Sequence, residues 1–447
     1  MSTGSARAQV TTLTTADGSR FVLCVDPTEP QVHWAIASWL DGLDDPPGHP
    51  GLAHLVLQQA RFGTFRTGSL DAAAERNALA ALDEARAALA KSTADGQAIA
   101  RLATLEQQAA ALGDPARFDR VLATLPAHRP EVASIGPCGV FTLTTLASAI
   151  PAVAAMLVER REDTALRGLA AAWAALPSER RSAADPFAPL ATELLALTWP
   201  NHPLAQRREA AATAAPRHAE ALAVWAATQH PSRTVHVLVG DFDAEATSNA
   251  LRAAFQRTDL PAPAAMATPS PHPLQGLRRS QVPGFVDPAV LVAFPLPAEL
   301  DATALQVVSL LLGDAAGPLV QELRGQRANV QVAVRAPWPL RPAAQGMLLL
   351  EVLDRGGGPG LADAVRAACT KVAQGPLDTK GIAAELERWR RQRLDLGDEP
   401  RRLASALAAR ELQAPGSTTA TAPTAEAVQR LTSELLRGPS ALVEGVR

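Results

Sequence analysis

Tyrosine is missing from all 447 residues, and aromatic residues reach only 4%. Any mechanism that needs a phenol of this chain as acid, base or donor is therefore excluded. Cysteine is nearly as scarce. Cys24, Cys138 and Cys369 are odd in number, far apart and without a CxxC pair, so they form neither a disulfide framework nor a cysteine metal cluster. They read as three buried or half-buried thiols in a reducing compartment. An excess of charge is missing too: 42 Lys+Arg against 45 Asp+Glu leave a net charge of -3. Without a basic run interleaved with aromatics, nucleic-acid binding has no electrostatic footprint. No run of ~18 apolar residues marks a membrane span. The opening residues, Met1 to Arg7, carry no apolar signal core, so the expected location is cytoplasmic, with the periplasm left open.

What is present is 47% hydrophobic residues in a length that suggests two domains, at ~100–200 residues each. Residues 10–24 read as two short strands around an Asp17-Gly18 turn. A strand follows at 32–39, a Pro/Gly-rich loop at 44–51 and a helix at 52–59. The Ala-rich stretches 70–91 and 97–112 read as an antiparallel helical hairpin. Strands are expected at 139–145 and 235–239, and helices at 148–160, 163–176 (stopped at Pro177), 189–197, 215–228 and from an Asp243 cap to about 258. Residues 259–275, rich in proline and poor in charge, read as an interdomain linker. Beyond it the outline repeats. Strands are expected at 289–294, 330–334, 347–352 and 441–446, with helices at 302–312, up to 324, 361–373, 379–392, 402–412 and 424–436. The fold class is α/β (α+β): two similar halves, 1–258 and 276–447, each a mostly antiparallel sheet flanked by helices, with the hairpin 70–112 inserted in the first.

The segment that carries chemistry is Gly51-Leu-Ala-His54-Leu-Val-Leu57-Gln58-Gln-Ala-Arg-Phe-Gly63-Thr64. It resembles the helix of the pitrilysin/insulinase family of inverted zinc peptidases, which includes mitochondrial processing peptidase and reads there approximately G-L-A-H-L-L-E-H-M-x-F-x-G-T. In that motif, H-x-x-E-H, two histidines four apart bind zinc from one helix face, and the glutamate takes a proton from the metal-bound water. Here His54 stands at the first ligand, Leu57 at the base and Gln58 at the second ligand. Leucine cannot accept a proton, and an amide is a poor zinc ligand beside imidazole or carboxylate. The family's third ligand, a glutamate on a second helix, fails as well. Asp185-Pro186-Phe187 is similar to its D-P-Y, and counting back lands near Leu176-Pro177, with Glu179 past the proline.

Further stretches resemble the family in order and spacing: 196–203, the strand and turn Thr234 to Asp243, Leu311 to Arg324, the hairpin insertion of some bacterial members, and the last strand from Ser440. Active members bind peptide backbone through an Arg and a Tyr seven positions apart; Arg324 is kept here and Gln331 replaces the Tyr. Smaller candidates carry less. Gly356 to Gly360 matches no phosphate loop, since no Lys-Ser/Thr follows, and reads as a flexible turn. The remaining histidines form no H-x-H or H-x-x-x-H pair, and no G-x-S-x-G elbow is present.

The resemblance implies a non-catalytic subunit of a heterodimeric zinc metallopeptidase. It would close the chamber and help bind unfolded peptide for a zinc-bearing homologue, without catalytic or metal-binding residues or a cofactor of its own. Two other readings stay open: a structural scaffold subunit of a larger complex without peptide binding, and a peptidase with rewired ligands.

Overall fold

The computed structural model describes residues 9–40, 45–46, 48–59, 63–91, 96–114, 116–136, 138–182, 187–199, 215–260, 263, 274–338, 346–394, 399–413, 415–416 and 421–446. Strands β1 (Gln9–Thr14) and β2 (Arg20–Val25) flank the Asp17-Gly18 turn. Gly18 sits at φ 87°, where a Cβ is disfavoured, and Asp17 accepts from the backbone of Ser19 and from Thr15. β3 (Val32–Trp39), β4 (His128–Ile135), β5 (Cys138–Thr145) and β6 (Thr234–Gly240) complete a six-stranded sheet of order β1-β2-β6-β3-β5-β4. β3, β5 and β6 are buried at every position, as strands covered on both faces must be.

The second sheet has five strands, β7 (Leu277–Pro283), β8 (Ala289–Pro295), β9 (Val330–Trp338), β10 (Met347–Asp354) and β11 (Ser440–Val446), in the order β7-β11-β8-β10-β9. The two sheets share one plan. Each has a single parallel pair, β2 with β6 and β7 with β11, and the rest is antiparallel. Apart from β1, the order 2-6-3-5-4 of the first maps onto 7-11-8-10-9 of the second. This is the topology that two similar, mostly antiparallel halves require.

Helices of the first half are α1 (Leu52–Gln59), α2 (Ala72–Lys91), α3 (Gly96–Leu112), α4 (Arg117–Thr124), α5 (Ile150–Asp163), α6 (Leu169–Ser182), α7 (Ala188–Thr198), α8 (His218–Thr228) and α9 (Ala244–Ala254). Those of the second are α10 (Ala302–Gly313), α11 (Pro318–Arg324), α12 (Leu361–Gln374), α13 (Thr379–Leu394), α14 (Pro400–Gln413) and α15 (Ala425–Arg437). α2 and α3 pack on one another as the expected hairpin.

The described residues fall into two compact units that are discontinuous in sequence: those within Met1–Ser182, Glu209–Ala264 and Leu396–Thr418, and those within Ala183–Arg208, Ala265–Asp395 and Thr419–Arg447. α7 therefore belongs to the second unit, where it lies on β7, β8 and β11, and α14 to the first, where it lies on β3, β5 and β6. Sheet alternation shows why. In β8, Val290, Val292 and Phe294 face one core with α10 and α12, while Ala289, Leu291 and Ala293 face the other with Leu190, Leu194 and Trp199. A strand with two apolar faces needs a covering layer on each. Of the linker expected at 259–275, only 259, 260, 263, 274 and 275 are among the described residues.

Several elements differ from the sequence reading. α4, β4 and β7 were not anticipated. β4 and β7 are edge strands with charged or half-exposed faces and a proline each, so neither shows a strong apolar alternation. The helix expected at 163–176 starts instead at Leu169, because Leu166 (φ 45°) and Gly168 (φ 75°) turn the chain left-handed just before it; its backbone stays helical past Pro177. The expected helix end near 258 falls at Ala254. One described stretch, Ala302–Arg324, is long and apolar enough by composition to cross a membrane. It is interrupted at Asp314 to Gly317, and its Leu305, Val308, Leu312, Leu319 and Leu323 lie in the core of the second unit.

Candidate functional site

The degenerate motif lies on α1. The Pro/Gly-rich loop before it ends in Gly51 (φ 89°), and the buried Asp45 carboxylate caps the helix by accepting from Gly51 N and from Ala53 N at 2.7 Å. Such a carboxylate satisfies free N–H groups and complements the helix dipole. The apolar face of α1, with Leu52, Leu55 and Val56, packs on Leu166, Leu169, Trp173, Val224 and Trp225.

The three motif positions have unlike surroundings. His54 is half-buried, and its Nε2 meets the Gln58 amide Nε2 at 3.3 Å. The pair therefore sits together on one helix face, as i and i+4 must. With the amide donating, the imidazole nitrogen that would face a metal is occupied as an acceptor. Leu57 is 2% exposed and is turned into the core. A Cβ built on Gly139 of β5 would overlap Leu57 Cδ2 and Leu40 Cδ1, so the glycine opens the space that the leucine fills. No group at position 57 can take a proton, and the position does not face water. The residues present do not fit a catalytic zinc ion: one imidazole remains, engaged by an amide, and no base stands beside it. Among the described residues, no three His, Cys, Asp or Glu side chains converge as a metal site would require. The side chains of Leu176, Pro177 and Glu179, and the whole of Asp185, Pro186 and 200–203, lie outside the described residues.

Arg324 and Gln331 belong to the second unit, at the end of α11 and the start of β9. Both are exposed. Arg324 donates through Nη1 to Ala315 O at 3.3 Å, across the turn where Gly317 begins α11. A neighbour carries more structure than either. Arg327 pairs with the buried Asp354 at 2.7 Å and donates to the carbonyls of Gly358 at 3.0 Å and Pro359 at 2.6 Å. It thereby holds the glycine turn between β10 and α12, whose Gly360 has φ 84°. The sequence signal for Arg327 was its place beside Arg324 in the same short run, but its partners lie about thirty residues on.

Three histidines elsewhere, His236, His33 and His218, are buried and structural. His236 is packed against Phe21 and Phe255 and accepts from Trp34 Nε1 at 3.3 Å. Burial first, then the nearby Arg161 guanidinium, push its pKa down to about 3. His33, bonded to Thr144 at 3.1 Å, and His218, whose Nε2 donates to Ala165 O at 2.8 Å, are lowered by burial as well. All three cysteines are buried thiols outside any disulfide, and burial pushes those of Cys24 and Cys369 up to about 12.

No protein-family profile matches the chain, and no curated protein matches it. Solved structures do. Over 98% of its length the chain is similar to a protease from Helicobacter pylori, at 13% identity and a TM-score of 0.66, covering 99% of that chain. It is similar over the same share to a peptidase M16 inactive domain from Pseudomonas fluorescens, at 14% identity and a TM-score of 0.65, covering 98% of that chain.

Proposed function

We propose that this chain, which carries the fold of the M16 peptidases, is a degenerate, non-catalytic member of the pitrilysin/insulinase family. It works as one subunit of a heterodimeric zinc metallopeptidase, closing the chamber and helping to hold unfolded peptide for a zinc-bearing partner. One observation carries the reading: Leu57, in the place of the base, is packed over Gly139, and Gln58, in the place of a ligand, is bonded to His54. The scaffold is kept while the chemistry is gone. The similarity to a domain described as inactive supports the same reading. Peptide contact falls to Arg324, whose exposed guanidinium can donate to a carbonyl or a C-terminal carboxylate.

The test is to mix the purified chain with a zinc-bearing homologue from the same genome, then measure co-elution and cleavage of an unfolded fluorogenic peptide. The expected result is a stable pair with higher activity than the partner alone, and Arg324→Ala should raise KM about tenfold while leaving the pair intact. A pair whose rate ignores Arg324 is the scaffold instead. Absence of pairing, or stoichiometric zinc in the purified chain alone, overturns the proposal.

A further inference from the structure

The first unit holds a cavity of about 580 Å³ between the α2–α3 hairpin, the start of α6 and the end of α1. That volume is within the range of small-molecule sites. Its walls are mostly aliphatic: among the described residues Leu79, Leu82, Ala109, Leu166 and Leu169 contribute, and the His218 ring, held by Ala165 O, is also in the lining. Gln59 also lines it. Five residues along α1 from His54, it turns about 140° away from it at 100° per residue, so the cavity is not the degenerate motif's face.

The polar groups of the lining narrow the ligand. Arg167 and Glu75 form a buried two-pronged pair, with Nε–Oε1 and Nη2–Oε2 both at 2.8 Å, and Arg167 also donates to Thr64 O at 2.9 Å. Arg86 pairs with Glu106 at 3.0 Å. These charges answer one another and leave no net charge for an ionic ligand to neutralise. Gln59 is different. It is 8% exposed, and its amide makes no side-chain hydrogen bond among the described residues. The amide lines the cavity, so a ligand group that bonds it there gains about 0.5–1.5 kcal/mol.

We propose that this cavity binds a neutral amphiphile with an aliphatic chain and one hydroxyl or carbonyl group, the chain lying along the leucine and alanine walls and the polar group on the Gln59 amide. A carboxylate would meet Glu75 and Glu106 as well as their arginines. The proposal stands apart from the peptidase reading, since it uses none of its residues.

The experiment titrates the full chain with 1-decanol by calorimetry at two temperatures. The expected result is one site per chain with a negative heat-capacity change, the mark of buried apolar surface. Gln59→Leu should weaken 1-decanol about tenfold while leaving n-decane unchanged, since only the hydrogen bond is lost. Ala110→Trp at the mouth, or Ala170→Phe if the first variant does not fold, should abolish both. Decanoate should bind more weakly than 1-decanol. No saturable binding by the folded chain, or binding that both cavity-filling variants leave untouched, overturns the proposal.

Discussion

Position 139 decides what position 57 can be. Because Gly139 offers no Cβ, Leu57 reaches the backbone of β5 and is sealed from solvent. Gly139→Ala should destabilise the first unit by about 1–3 kcal/mol through overpacking, seen as a lower urea midpoint, and Leu57→Ala in the same chain should recover part of the loss. Recovery that fails would mean that Leu40 carries the clash instead. His236 decides an acid limit in the same way. Its pKa is about 3 in the fold and near ~6.5 in the unfolded chain. A depressed histidine stays neutral in the native state while the unfolded chain binds the proton, so its contribution is full above the unfolded value and drains as pH falls from ~6.5 toward 3. His33 and His218 shift in the same direction. Urea midpoints between about pH 7.5 and about pH 4 should fall, and His236→Gln should flatten the slope by about 1.4 kcal/mol per pH unit.

At the scale of elements, the telling piece is α14. Its Leu407 is 1% exposed, and the helix covers β3, β5 and β6 of the first sheet, although it follows the second half's strands β7 to β10 in sequence. Arg401 at its start donates to Arg129 O at 2.6 Å and Thr142 Oγ1 at 3.0 Å and pairs with Glu131 at 2.8 Å. Leu407→Ala should cost about 2–5 kcal/mol, and hydrogen exchange should rise in β3, β5 and β6 before the second sheet. The amphipathic pattern of 402–412 was enough to read a helix, because that pattern is local. It could not say which sheet the apolar face meets, because α7 and α14 carry apolar faces that suit either sheet. Edge strands β4 and β7 were missed for the related reason that one solvated side dilutes the alternation.

At the scale of the molecule, the exchange of α7 and α14 makes each compact unit depend on both halves of the chain. Residues 1–258 expressed alone should leave the apolar back face of the first sheet bare, and 276–447 alone that of the second. Each fragment is expected to aggregate or remain without cooperative unfolding by calorimetry, while co-expression of the two should restore one soluble complex. A cooperative transition from either fragment by itself would count against this dependence. The topology shared by the two sheets follows from the repeated element order legible in the sequence. The discontinuous units do not, since contact between residues two hundred apart leaves no local mark.

The sequence by itself determined most of the elements, the doubled plan and the lack of a base at position 57, because helix spacing and side-chain type are local: leucine at 57 is no base in any fold. Only the tertiary structure decided what took its place. Gly139 and Leu57 are eighty-two residues apart, Gln59 faces a cavity made by a distant hairpin, and α14 reaches the first sheet across the chain. Burial and partners of that kind arise from long-range packing, which a one-dimensional pattern does not carry.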